Sequence, residues 1–391
     1  MKLSGLFLWL VTMLLVFAGC NNKAKQEAET SKFILYVGTY TETPAGSERK
    51  SEGIYIYEFD TNTGTLEYVN VSPFTANPSF LDISSDGRFL FTVNETGGAG
   101  SPGGISAFRM ENEGKNLTFI NMVSSEGEYP CYVEVDKTGK YVMVANYGTG
   151  NIGFFPVKAD GVLQNAIFTD MHEGKGTTSR QEAAHAHSIR LSPDNRFAYS
   201  CDLGTDRIYI YRFDAANGLI DSSGFYQVEE GAGPRHLEFH PSRNLVYVIN
   251  ELNGTIGCLK RDTLTGALTA FQVISTVQDS GTLAGCADIH ITTTGEFLYG
   301  SNRGPFNSLA MYIVDDNGSL TYTGSQSVKG LTPRNFTIDP TGKWLLVANQ
   351  NSDQIVTFRI DPKLGKLVET GIETIVPKPV CLKFLTANNE K

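Results

Sequence analysis

A sustained 3.6-residue apolar period is missing from the 391 residues, which argues against long amphipathic helices. Positive charge is short as well. Thirty-two Lys and Arg face 42 Asp and Glu, the net charge is −10, and no basic stripe stands out. A nucleic-acid partner needs a basic footprint, so none is expected. Cysteine is scarce and scattered: with Cys20 set aside, Cys131, Cys201, Cys258, Cys286 and Cys381 remain, an odd number without a Cys-x-x-Cys spacing. They read as small buried apolar residues in strands, and neither a disulfide framework nor a metal site is expected of them. The apolar run over residues 6–17 falls short of the roughly 20 residues that a membrane-spanning helix takes.

That run follows Lys2 and ends in Val16-Phe17-Ala18-Gly19-Cys20, the layout of a signal peptide. The last residues resemble the bacterial lipobox, in which the cysteine is lipidated and becomes the mature N-terminus; Phe17 stands where leucine is usual. Residues 1–19 are thus expected to be a signal peptide. Residues 20–32 are expected to be a lipidated Cys20 with a polar tether. The expected location is the bacterial cell envelope, periplasm or outer membrane, with the membrane touched through the lipid anchor alone.

Aromatic residues at 11 % and 40 glycines suit many short strands joined by tight turns. Six times the chain repeats Pro-x-x-apolar-x-apolar-x-(Pro/Ser/Lys/Thr)-x-(Gly/Asn), with Ala186 and Cys286 replacing the proline, before a β-rich run ending in Asn or Asp. The copies occupy 78–94, 130–146, 186–202, 234–250, 286–302 and 333–349, and each is followed by a further β-rich pair. A period near 50 with four short strands per unit predicts an all-β, seven-bladed β-propeller over residues 33–385. The seventh blade combines N- and C-terminal strands: 33–40, 53–59 and 66–71 supply three, and 378–385 the missing first one. Such closure removes the open sheet edges. Residues 386–391 read as a tail.

Positions that differ between copies are the candidates for function. The residue after the opening position, which starts each innermost strand, is Ser79, Cys131, His187, Arg235, Ala287, Arg334 and, in the closing blade, Val380. These should ring one mouth of the central channel, where clustered charge needs an anionic partner. The second strand returns to the same mouth. Its terminal Asn or Asp (Asn94, Asn146, Asp202, Asn250, Asn302, Asn349) repeats and reads as a structural cap. The next residue varies through Glu95, Tyr147, Leu203, Glu251, Arg303 and Gln350. The hairpin should bring Glu251 to Arg235. His187, Arg235, Glu251 and Arg334, with Arg303 nearby, could clamp an anion, stabilise an oxyanion and supply a base with its orienting group; a structural ion-pair network is the alternative. His185 with His187, and Asp288 with His290, could instead suggest a metal, but no third ligand is evident and none is expected. The longest insertion, 172–184, makes Arg180 and Gln181 candidate substrate contacts. His236 is a further substrate-side candidate, packed or supporting in role.

The phrases at 180–204, 231–252, 287–304 and 332–352 together resemble the seven-bladed lactonase family, which includes propeller-type 6-phosphogluconolactonases and a fungal carboxymuconate lactonising enzyme. The likeness spans 33–385. By that resemblance the active-site histidine falls on His187, the two arginines on Arg235 and Arg334, and the glutamate on Glu251. It implies hydrolysis of a small anionic or sugar lactone without metal or organic cofactor. Glu251 or His187 would activate water, and the arginines would bind the substrate or the tetrahedral intermediate. A carboxymuconate-type cycloisomerase and a non-catalytic envelope binding propeller are the alternative expectations.

Overall fold

The computed structural model describes residues 31–41, 51–278 and 285–386. The expected signal peptide, Cys20 and most of the tether lie outside the described residues, as do the last five of the tail. Seven four-stranded antiparallel sheets form the blades of a propeller. The closing blade has Pro379–Phe384 innermost, then Lys32–Thr39, Tyr55–Asp60 and Thr65–Val71, so the two ends of the domain share one sheet. The remaining six blades each run through four strands in chain order from the channel outward. One 3-10 turn, Gln350–Ser352, is the only helical element among the described residues.

The core is divided among the blade interfaces. Seven apolar clusters are present, each joining two neighbouring blades; one packs Tyr247, Ile249 and Ile256 against Ile289, Leu298 and Tyr312. A blade covered on both faces needs continuous apolar runs, which is why second strands such as Leu245–Asn250 and Trp344–Asn349 are buried throughout. Outer strands are mostly exposed or half-buried, as in Leu268–Ser275, where only Leu268 is buried.

The terminal asparagines act as caps, though their partners are not in the local turn. Asn94, Asn146, Asn302 and Asn349 each donate a side-chain amide hydrogen bond to a carbonyl in the segment arriving from the preceding blade (Ala76, Ser125, Thr276 and Val328, 2.9–3.1 Å). They fasten successive blades together at the mouth. Asn250 instead bonds Thr255 Oγ1, and Asp202 accepts from the amides of His185 and Thr205.

One innermost strand is shorter than its repeat implies. In the blade of residues 81–124 it covers only Leu81–Ile83. Asn77 takes a left-handed φ of 39°, and its carbonyl accepts from the amides of Ser79 and Glu95, which turns residues 78–79 off the ladder.

Candidate active site

The innermost strands reach the mouth through a repeated irregularity. Pro234 pairs with Asn250 and His236 with Ile249, so Arg235 is an extra residue. The same register shift skips Cys131, His187, Arg334 and Val380 in their blades. A β-bulge re-aims its extra side chain, and here it turns each of these residues into the channel. Ser79, Cys131, His187, Arg235, Arg334 and Val380 accordingly line one narrow chamber, whose wall also includes His236 and Asn335. Above it lies a cavity of 170 Å³ bounded by Glu95, Cys131, Tyr147, Arg180, His187, Glu251, Arg303 and Arg334.

Glu251 is the electrostatic centre of the mouth. Its Oε2 accepts from Arg235 Nε and lies 3.0 Å from Arg303 Nη2; its Oε1 accepts from Arg180 Nη2 at 3.2 Å. Arg235 also donates to the Ala287 carbonyl and, at 3.1 Å, to His236 Nε2. Across the cavity Arg334 Nη2 lies 3.8 Å from Glu95 Oε2, and its guanidinium sits over the Tyr40 ring at 5.5 Å. The Tyr40 hydroxyl donates to the same Glu95 oxygen at 2.8 Å.

Burial alone would push the Glu251 carboxyl up, but Arg303, Arg235, Arg180 and Arg334 outweigh it and hold it at about 2. Arg235 is lowered to about 10, first by burial and then by Arg303 and Arg334. The pair is lopsided because guanidiniums outnumber carboxylates around it. His187 is held well below the usual imidazole value by burial, Arg235, His236 and Arg334, so it is neutral at pH 7.

Of the two further substrate-side candidates, Gln181 is turned away from the mouth by this geometry and His236 takes the supporting role. Gln181 is buried and spends its amide on the Leu203 carbonyl and Asp206 Oδ1, so it braces the 172–184 insertion and does not face the mouth. His236 lies deeper than the cavity. Because its Nε2 accepts from Arg235, its Nδ1 donates to Asp288 Oδ1 at 2.8 Å, and it buttresses Arg235 from below. Arg180, by contrast, reaches the cavity from the insertion and bonds Tyr147 Oη at 3.0 Å with its side chain 55 % exposed. The His185/His187 and Asp288/His290 pairs do not converge on a common point. His185 stacks on Tyr147 and bonds the Tyr147 carbonyl, whereas the Asp288 carboxylate is shared among His236, His290 and Asn335. Glu95, Tyr147 and Cys131 also border the cavity; sequence placed all three at the mouth without giving them a role. Glu95 and Tyr147 occupy the same repeat position as Glu251, and that position was the available signal.

A seven-bladed ring with a guanidinium-rich mouth fits the family match: the chain belongs to the lactonase, 7-bladed beta-propeller family, whose model covers residues 34–384. It is 35 % identical to a 6-phosphogluconolactonase of Bacillus subtilis across 91 % of this chain and 99 % of that one. It is 34 % identical to a 6-phosphogluconolactonase of Formosa agariphila, covering 90 % and 99 %. In three dimensions it is similar to a periplasmic gluconolactonase of Pseudomonas aeruginosa, with a TM-score of 0.84, 33 % identity, and 91 % and 100 % coverage.

Proposed function

We propose that this lactonase opens a non-phosphorylated sugar lactone of the glucono-δ-lactone type outside the cytoplasm. The observation that carries the hydrolytic part of this reading is the charge of the mouth; the choice of a non-phosphorylated lactone rests on export. Arg180, Arg235, Arg303 and Arg334 face only Glu95 and Glu251, an excess of two positive charges within a chain of net charge −10. Such a site stabilises the oxyanion formed when water attacks the ring carbonyl. The rigid guanidinium forks are preorganised, so little reorganisation is needed as charge develops. Arg334, which borders both the cavity and the chamber below, is assigned to the carbonyl oxygen, and Arg180 and Arg303 to the ring substituents. Glu251, ionised and held by three guanidiniums, aligns them and is a poor proton acceptor.

Export is supported by the lipobox-like residues 16–20 and by the similarity to a periplasmic gluconolactonase. A substrate made in the cytoplasm, such as 6-phosphogluconolactone, would not reach an exported enzyme. Residues 32–391 are expected to accelerate opening of fresh glucono-δ-lactone over the spontaneous rate. Arg334→Ala should lose roughly 10²–10³ of that rate, the usual cost of one oxyanion donor. Faster turnover of 6-phosphogluconolactone would refute the substrate assignment, and no acceleration of either lactone would refute hydrolysis. The full-length chain should pellet with membranes, and Cys20→Ala should release it; a soluble unaltered chain would remove the anchor from the picture.

A further inference from the structure

The mouth holds two carboxylates, and their surroundings differ. Both oxygens of Glu251 are engaged by guanidiniums, three in all. Glu95, with its side chain 16 % exposed, has a single guanidinium neighbour among the described residues, Arg334 at 3.8 Å. Its hydrogen bond from Tyr40 and its approach to Arg334 both use Oε2. Oε1 has neither contact, and the side chain borders the cavity where a lactone would sit.

We infer that Glu95 is the general base of lactone opening, an assignment that rests on the hydrolytic reading above. Glu95 Oε1 takes a proton from water while the water oxygen bonds to the carbonyl carbon and the carbonyl π pair moves onto oxygen. The negative charge passes from Glu95 to the oxyanion, so the charge count of the cavity is unchanged and the guanidiniums remain matched. When the intermediate collapses, the ring C–O bond breaks and its electron pair leaves on the alkoxide, which takes the proton back from Glu95. The product is the open hydroxy acid, and Glu95 is again a carboxylate. His187 would have to become a cation beside Arg235 and Arg334, creating charge in a buried place; its lowered affinity for protons reflects that cost. The Tyr40 hydroxyl and the Arg334 guanidinium fix the Glu95 plane through Oε2, a positioning role.

The test compares the unaltered protein with Glu95→Gln and Glu95→Ala on glucono-δ-lactone, with circular dichroism and melting temperature recorded for each. Glu95→Gln is expected to lower kcat about 10²–10⁴-fold, the range of general acid–base catalysis, with KM within a few-fold. Formate added to folded Glu95→Ala should restore part of the rate in proportion to its concentration, because a small carboxylate fits the space left behind. A Glu95→Gln rate within about 3-fold of the unaltered enzyme overturns the assignment. So does a folded Glu95→Ala protein that formate fails to rescue, which would leave Glu95 as a structural partner of Arg334. If the unaltered protein accelerates neither lactone, the hydrolytic reading falls and this assignment falls with it.

Discussion

Glu251→Gln is expected to lose about 10²–10³ in kcat/KM and roughly 3–5 kcal/mol of stability, and the activity loss should be the same at every pH tested. The stability loss follows from burial. Arg235 is 1 % exposed, and it would lose the carboxylate that neutralises it while Arg303 remains beside it. Removing one partner from a buried ion pair typically costs this much, because the remaining charge has no solvent to turn to. The activity loss follows from position. Without a central anion the three guanidiniums repel one another and leave the geometry in which they meet the substrate. A residue held at about 2 does not titrate in the working range, so its removal lowers the rate without moving the pH profile. The checks are urea unfolding and initial rates between pH 5 and 9. An unchanged urea midpoint would show that the three ion pairs contribute nothing, and a displaced acidic limb would return Glu251 to the role of base.

The second large effect concerns Asp288, which lies below the mouth. It accepts from His236 Nδ1, from His290 Nε2 at 3.1 Å, from Asn335 Nδ2 and from the Phe336 amide, and thereby joins three blades. Asp288→Ala should cost about 3–5 kcal/mol, since two histidines and an amide lose a common buried acceptor. It should also change how stability depends on pH. Burial acts to lower His290, but Asp288 and Glu238 overcome it and raise it to about 9. Its contribution is complete below the unfolded value near 6.5 and disappears as the pH rises through 9. At 1.36 kcal/mol per unit this amounts to no more than about 3 kcal/mol, and less because the ring is 28 % exposed. His236 works the other way. Burial and Arg235 lower it to about 4, so stability falls as the pH drops from 6.5 towards 4. The urea midpoint should therefore peak near pH 6.5, and in Asp288→Ala the alkaline decline should flatten. A midpoint that is level or rising from pH 6.5 to 9 in the unaltered protein would contradict this account.

Much of the architecture was legible because a repeat exposes its own scaffold. The phrase beginning at Pro234 and its copies mark the innermost strands, and residues 378–385 supply the strand that the first module lacks. The proximity of Arg235 and Glu251 followed from a hairpin sixteen residues long. Side-chain direction was harder to read. A bulge adds one residue without any sequence signature, so Arg235 and His236 both enter the channel but at different depths, and only Arg235 reaches the mouth. Gln181 was misplaced because the insertion folds back and Asp206 captures its amide. Glu95 was placed at the mouth but given no role because its partners, Tyr40 and Arg334, come from the two blades on its far side, at sequence distances that no hairpin argument spans.

The shared blade also imposes an order in time. Lys32–Thr39 is made early, yet Pro379–Phe384, which pairs with it from Leu35↔Phe384 to Thr39↔Pro379, is made some 340 residues later. At the usual 5–20 residues per second, synthesis of the intervening chain takes roughly 20–70 s. Throughout that interval the apolar strand FILYVG, residues 33–38, has one unsatisfied edge, the kind of edge that seeds association between chains. The ring is therefore most vulnerable before its last strand arrives. Whatever holds the nascent chain must keep that edge covered until then.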